Sequence, residues 1–196
     1  FRRVTSQFPG YSAADRAHYL MAESYRKAGK SRESRLACEQ FVNFFPHSEF
    51  RPTVHFRLGS LRFEEGKYMQ AAVDFTGVLD EGAPNEIMAA ALYNLALCRR
   101  MLGEVDAAME SLLKYRQTYP SGEGRTAEIA YQMGDIHQER GRSVEAIEEF
   151  ERALAAKPDG KMKTELRYRI GECREELGES DAAIASYERA ISGGDK

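Results

Sequence analysis

The sequence of 196 residues contains no apolar run of about 18 residues, the length that a membrane-spanning helix needs. We therefore expect no direct membrane insertion by this part of the chain. Cysteine is also scarce, and Cys38, Cys98 and Cys173 form no even set and have no metal-ligand spacing. We expect three buried free thiols that pack as small apolar side chains, which favours a reducing compartment.

The residue patterns of common active sites are missing as well. The four histidines include no pair four residues apart with a glutamate between them, so the helical zinc motif is absent. No glycine loop of the phosphate-binding type occurs. The formal net charge is −3, and the net-basic N-terminal third lacks an aromatic and basic groove of adequate charge. We therefore predict no enzyme activity, no metal or other cofactor, and no nucleic-acid partner.

One spacing recurs along the whole chain. Five turn glycines follow one another at steps of 37, 37, 38 and 37 residues: Gly29, Gly66, Gly103, Gly141 and Gly178. Seven residues before each of them lies a small residue: Ala22, Gly59, Ala96, Gly134 and Gly171. Nine residues after each lies a residue that is usually large: Cys38, Phe75, Leu112, Phe150 and Tyr187. This pattern predicts helical hairpins that must stack on neighbours to bury their apolar faces.

Prolines close most of these units, at Pro46, Pro84, Pro120 and Pro158. The combination resembles the tetratricopeptide repeat family, in which small residues, a turn glycine, an aromatic residue and a closing proline mark two antiparallel helices. The resemblance implies an all-α fold, a right-handed superhelical solenoid of antiparallel helix pairs. The 37-residue unit exceeds the usual length of about 34, and it resembles the units of bacterial cell-envelope members. The first aromatic of the family pattern is replaced by His18, His55, Leu92, Ala130 and Arg167.

We expect a single solenoid over residues 1–196. The spacing of Phe1, Val4 and Pro9 matches the second helix of the fourth unit, so residues 1–11 are interpreted as the end of a truncated repeat. The sequence is therefore expected to be a piece of a longer protein, and any signal or anchor would lie outside it. Five repeats are predicted to follow, at residues 12–48, 49–84, 85–122, 123–159 and 160–196.

An aromatic residue stands three positions before each small residue of the first helices, and we call this set the ring column: Tyr19, Phe56, Tyr93, Tyr131 and Tyr168. In the family this position faces the concave groove, where extended peptides or partner helices bind. The resemblance therefore implies a recognition surface, for which rigid aromatic rings are well suited. Alternatively, the rings stack on the next repeat and only fill the groove wall.

The residues beside the ring column change character along the chain. They are basic in the first repeat, at Arg16, Arg26 and Lys27. They are apolar or basic in the second and third repeats, at Phe63, Leu97, Arg100 and Met101, and acidic in the fourth and fifth, at Glu128, Asp135, Glu139, Glu172 and Glu175. Residues 1–62 carry 11 Lys+Arg and 5 Asp+Glu, whereas the remainder carries 17 and 26. We hypothesise a partner segment with an acidic part against the first repeats and a basic or apolar part against the last. Solvated helix faces with intrahelical ion pairs are the alternative.

The resemblance thus predicts a non-catalytic scaffold for protein–protein interaction, which binds a peptide segment or a partner helix within a larger bacterial assembly. The cell envelope is one candidate location, and the periplasm and the cytoplasm both stay open. Two alternatives remain at this point. One is a self-assembling module whose ends associate head to tail, and the other is an accessory region of a larger enzyme or secretion protein.

Overall fold

The computed structural model describes residues 13–120 and 124–192, which contain ten α-helices and no strand. The helices are α1 (Ala14–Lys27), α2 (Ser31–Phe44), α3 (Arg51–Glu64), α4 (Tyr68–Glu81), α5 (Asn85–Met101), α6 (Val105–Thr118), α7 (Thr126–Glu139), α8 (Ser143–Ala155), α9 (Gly160–Glu176) and α10 (Ser180–Ile191). The predicted helix end at residues 1–11 lies outside the described residues. The repeat boundaries stay predictions, although each predicted hairpin after it contains two of these helices.

The chain forms two compact units, a first unit of Phe1–Ser111 and a second unit of Leu112–Lys196. In the first unit, each helix from α1 to α4 packs on the next one, and α3 also contacts α5 directly. In the second unit, α7 packs on α8, α8 on α9, and α9 on α10. Within each unit, therefore, consecutive helices form hairpins, and each hairpin covers the apolar face of its neighbour.

The turn between the helices of each hairpin depends on its glycine. Gly66 has a φ of 74°, and its amide donates a hydrogen bond of 2.9 Å to the carbonyl of Phe63. The other four turn glycines have φ values between 67° and 77°. A side chain would be strained in this left-handed conformation, which explains the recurrence of glycine at this position.

The small residues of the first helices make room for the rings of the second helices. A Cβ atom built on Gly134 would lie 2.4 Å from the Phe150 ring, and one on Gly171 would lie 2.4 Å from the Tyr187 ring. At Gly59, the corresponding distance to Phe75 is 2.9 Å. Glycine thus occurs where the facing residue of the second helix is aromatic, because only a bare backbone allows the ring to approach so closely.

The predicted buried thiols are confirmed: Cys38, Cys98 and Cys173 are buried and free. Burial raises the pKa of each thiol to about 12, since the charged thiolate would lose its hydration. His18 is also buried, with its ring centroid 5.2 Å from that of Phe45. Burial lowers the pKa of His18, so the neutral imidazole packs here in the place of the family's aromatic residue.

Candidate functional site

In the first unit, the rings of the column pack against neighbouring side chains and keep part of their surface in solvent. Tyr19 on α1 stacks on Phe50, with centroids 4.9 Å apart and planes 7° from parallel. Phe56 on α3 packs against Phe75 at 5.7 Å. Both rings are half-buried, as is Tyr93 on α5, and the direct contact of α3 with α5 brings the helices of Phe56 and Tyr93 side by side.

The second unit repeats this arrangement with two tyrosines. Tyr131 on α7 packs against Phe150 at 6.0 Å, and Tyr168 on α9 packs against Tyr187 at 5.8 Å. Tyr168 is nevertheless 45% exposed. These two rings therefore pack within their own hairpins and keep part of their surface exposed, so the two interpretations of the ring column are compatible.

An ion pair connects the first helices of two neighbouring hairpins in the first unit. Glu23 on α1 accepts hydrogen bonds of 3.0 Å from Arg26 on the same helix and from Arg57 on α3. Burial favours the neutral acid, but the two arginines outweigh it and lower the pKa of Glu23 overall. The charge of Arg26 is therefore partly neutralised within the chain, whereas Arg16 and Lys27 are exposed. The basic surface predicted at α1 consists mainly of these two exposed side chains.

The predicted apolar part of the groove lies on α3 and α5. Phe63 is half-buried and meets the ring of Tyr68 edge-on, with centroids 5.2 Å apart. Leu97 and Arg100 are also half-buried, while Met101 is 56% exposed at the end of α5. Met101 therefore offers the largest exposed apolar side chain among these four predicted groove residues.

Carboxylates surround the tyrosines of the second unit. Arg169 on α9 binds Glu165 at 3.0 Å and Glu172 at 3.3 Å, and it also donates to the hydroxyl of Tyr131. Glu172 in turn forms a hydrogen bond with the hydroxyl of Tyr168 and raises the pKa of that phenol. Burial and the nearby charge of Asp135 raise the pKa of Tyr131. We call Tyr131, Asp135, Glu165, Tyr168 and Glu172 the acidic tyrosine surface.

The remaining predicted acidic residues have different environments. Glu175 accepts a hydrogen bond of 2.8 Å from the hydroxyl of Tyr187, which ties it to the last hairpin. Glu128 is half-buried near the start of α7, and Glu139 is exposed at the end of that helix. A cavity of about 610 Å³ opens beside Tyr131, and Met162 and Glu165 are part of its lining. The acidic tyrosine surface therefore borders a depression that could receive a side chain.

Comparison with known families agrees with the resemblance to tetratricopeptide repeats that the sequence pattern indicated. A family model described as a tetratricopeptide repeat-like domain matches residues 10–172, and a second model, for the tetratricopeptide repeat, matches residues 164–192. The chain belongs to the tetratricopeptide repeat family. Proteins of this family use the surfaces of their stacked helices to bind other proteins, and the general role of this chain is that of a protein-interaction scaffold.

Solved structures of several other proteins have a similar fold. A crystal structure of MamA protein is 19% identical, with 93% of each chain covered and a TM-score of 0.78. A MamA structure from Desulfovibrio magneticus RS-1, beginning at residue 41, is 16% identical over 91% of this chain and 93% of that one, with a TM-score of 0.74. BtubC (BKLC) from P. vanneervenii is 19% identical over 98% of this chain and 84% of that one, with a TM-score of 0.74. The predicted all-α solenoid of tetratricopeptide-like helix pairs is thereby confirmed. No curated protein sequence matches the chain significantly.

The structure of this tetratricopeptide repeat chain also reveals a recurring arginine that the sequence interpretation missed. It lies four residues before the turn glycine and donates across the hairpin to a side chain twelve residues later. The pairs are Arg62 with Asp74 at 2.9 Å, Arg99 with Ser111 at 2.6 Å, and Arg174 with Ser186 at 2.8 Å. The signal was present in the sequence, since these residues fall at one fixed position in three repeats.

Among residues 13–120 and 124–192, no group of three or more histidine, cysteine, aspartate or glutamate side chains is arranged to hold a metal ion. None of the helices in those ranges is both long enough and apolar enough to cross a membrane.

Proposed function

We propose that the chain is a non-catalytic scaffold whose acidic tyrosine surface binds a basic peptide segment or partner helix. The observation that carries this proposal is the position of Tyr131 and Tyr168, which are fixed by ring packing and remain partly exposed among carboxylates. Held in this way, a tyrosine loses little conformational entropy when a partner covers it. We extend the proposal to a role within a larger bacterial assembly, on the resemblance of the 37-residue units.

The charges of this surface favour a cationic partner. Asp135, Glu165 and Glu172 contribute three carboxylates, and Arg169 contributes one guanidinium between them. A lysine or arginine of the partner would therefore meet net negative charge beside two aromatic rings, where Coulomb attraction and cation–π contacts act together. In the first unit, the exposed Arg16 and Lys27 would attract an acidic segment of a partner.

Selection from a random peptide library on the immobilised 196-residue chain tests this preference. We expect the selected peptides to be enriched in lysine and arginine together with apolar residues. In fluorescence anisotropy titrations, a selected peptide should bind at least about tenfold more tightly than a version with its charges reversed, and added salt should reduce this ratio. Equal binding of the two peptides would rule out the charge preference.

The last helix gives a specific reason to consider a second function. Ile147 and Leu154 on α8 are half-buried and pack against the apolar cluster that α8 forms with α9. One repeat later, Ile184 and Ile191 occupy the same positions on α10 and are 55% and 87% exposed. The face of α8 that α9 covers thus has an exposed counterpart on α10. As a second candidate function we propose head-to-tail association, in which the first helix of a hairpin from another copy covers this face.

Sedimentation velocity at several protein concentrations tests this association. We expect the average mass to rise with concentration, and the rise to disappear in the variant Ile184→Ser/Ile191→Ser, because the apolar contact would be lost. Val144→Ser is the matched control, since Val144 is 54% exposed on α8 and lies outside the packed positions. A mass that does not change with concentration would contradict self-assembly and leave the peptide-binding proposal intact.

A further inference from the structure

A second site of opposite charge lies in the same unit. A cavity of about 640 Å³ is formed between α8, α9 and α10. Among the described residues, its lining contains five basic side chains and one carboxylate: Lys157, Lys163, Arg167, Arg174, Arg189 and Glu151. This volume is in the range of small-molecule sites, which is about 300–1,000 Å³. We call this feature the basic cavity.

The basic cavity is separate from the acidic tyrosine surface. Each residue of a helix is rotated by about 100° from the one before, so Arg167 and Arg174 share one side of α9. That side is turned by roughly 130° from the side that carries Tyr168 and Glu172. Helix α9 therefore presents carboxylates and tyrosines in one direction and guanidinium groups in another. A ligand of the basic cavity would not compete directly with a peptide on the acidic tyrosine surface.

Hydrogen bonds hold two arginines at this cavity. Arg174 donates to the hydroxyl of Ser186 at 2.8 Å and to the carbonyl of Ala182 at 3.3 Å. Arg167, which is only 9% exposed, donates to the carbonyl of Arg189 at 3.1 Å. These bonds fix the orientation of the guanidinium groups at the cavity. The lining carboxylate, Glu151, lies 3.7 Å from Arg174, and its side chain is 58% exposed.

In the first unit, the arginine at the corresponding position of its repeat is neutralised by carboxylates. Arg62 contacts both carboxylate oxygens of Asp74 at 2.9 Å and binds Glu39 at 3.1 Å. In the last repeat, Ser186 occupies the position of Asp74, so a hydroxyl replaces the buried carboxylate. Arg174 therefore has only the exposed carboxylate of Glu151, at 3.7 Å, where Arg62 has a buried one, and the exposed Lys157 and Arg189 line the same cavity.

We infer that the basic cavity binds a phosphate-bearing anion. Guanidinium groups present planar pairs of N–H donors that match the oxygens of a phosphate, and the lysine ammonium groups add charge without a fixed direction. The phosphate could belong to a phosphoserine of a partner protein or to a free small molecule, and the two sources share this chemistry. The chain would then recognise two features, a cationic segment on one side of α9 and a phosphate on the other.

Titration of the 196-residue chain with pyrophosphate, at constant ionic strength in chloride, tests the inference. We expect saturable shifts of backbone amide NMR signals in residues 154–158, 167–174 and 186–189. The variant Lys157→Ala/Arg189→Ala should weaken the affinity at least about tenfold, because it removes two charged donors from exposed positions and leaves Arg167 and Arg174 in place. Folding of the variant is checked by its amide spectrum.

The matched control is Lys114→Ala/Arg142→Ala, which removes the same charge from exposed positions of the same unit outside the cavity. It should change the affinity by less than about twofold, since the Debye length of about 8 Å limits the effect of distant charges. Equal weakening by both variants, or shifts that do not saturate, would overturn the inference. Phosphoserine peptides and their unphosphorylated forms make up the second arm. Preferential binding of the phosphorylated form would identify a partner protein as the source, and binding of pyrophosphate alone would identify a small molecule.

Discussion

Gly134→Val is expected to lower the free energy of unfolding by about 2–3 kcal/mol. Even the first added carbon would lie 2.4 Å from the ring of Phe150, which is fully buried and cannot move aside into solvent. Replacing a mid-helix glycine gains a few tenths of a kcal/mol in helix propensity, too little to offset the overlap. Urea unfolding followed by circular dichroism measures the change.

Gly160→Val is the matched control for this substitution. Gly160 begins α9, and a Cβ atom built on it has no other atom within 4 Å. Its variant should therefore change the unfolding free energy by less than about 0.5 kcal/mol. Because the overlap is between two residues, Phe150→Leu should reduce the cost of Gly134→Val in the double variant by about 1 kcal/mol or more. Equal costs at Gly134 and Gly160 would show that ring contact does not select glycine.

Arg62→Met is expected to lower the free energy of unfolding by about 3–5 kcal/mol, because it leaves a buried carboxylate without its cation. Asp74 is 3% exposed, and both of its oxygens accept hydrogen bonds from Arg62. The ring of His55 remains beside this carboxylate, with its Nδ1 3.7 Å from an oxygen of Asp74. Methionine keeps most of the side-chain volume, so the loss would report on charge more than on packing.

The third repeat supplies the comparison for this effect. Arg99 donates to the hydroxyl of Ser111 and to the carbonyl of Ala107, so Arg99→Met leaves no charged group behind. Arg99→Met should therefore lower the free energy of unfolding by about 1–2 kcal/mol, which is the order of magnitude for hydrogen bonds whose loss leaves only neutral groups unpaired. Urea unfolding of both variants gives the two values. If Arg99→Met proved as costly as Arg62→Met, the buried carboxylate of Asp74 would not explain the difference between the repeats.

The sequence was sufficient to predict the hairpins because their turns and close contacts depend on residue type alone. A positive φ at Gly66 and the ring contact at Gly134 both require glycine, and the spacing of such residues is visible without coordinates. The same applies to the buried thiols, which recur at helix positions that face the core. These features follow from local geometry that every repeat must satisfy.

The charged sites were harder to predict, because their partners are distant in sequence. Arg26 was interpreted as part of a basic surface, but Glu23 holds it in an ion pair within α1. The basic cavity could not be predicted from the sequence, because its residues alternate with groove residues along α9 and belong to three helices. Adding up charges over residues 63–196 gives a net negative value that hides it. Only the packing of α8, α9 and α10 brings these cations together.

The recognition role of the ring column is tested most directly by the affinity of a library-selected peptide for the variant Tyr131→Leu/Tyr168→Leu. Leucine keeps apolar contact with Phe150 and Tyr187 and removes the exposed aromatic edge, so the fold should be retained. We predict an affinity at least about tenfold lower than that of the wild-type chain, while the control Val144→Leu leaves it unchanged. Equal affinity of the tyrosine variant and the wild-type chain would contradict the assignment of this surface as the partner-binding site.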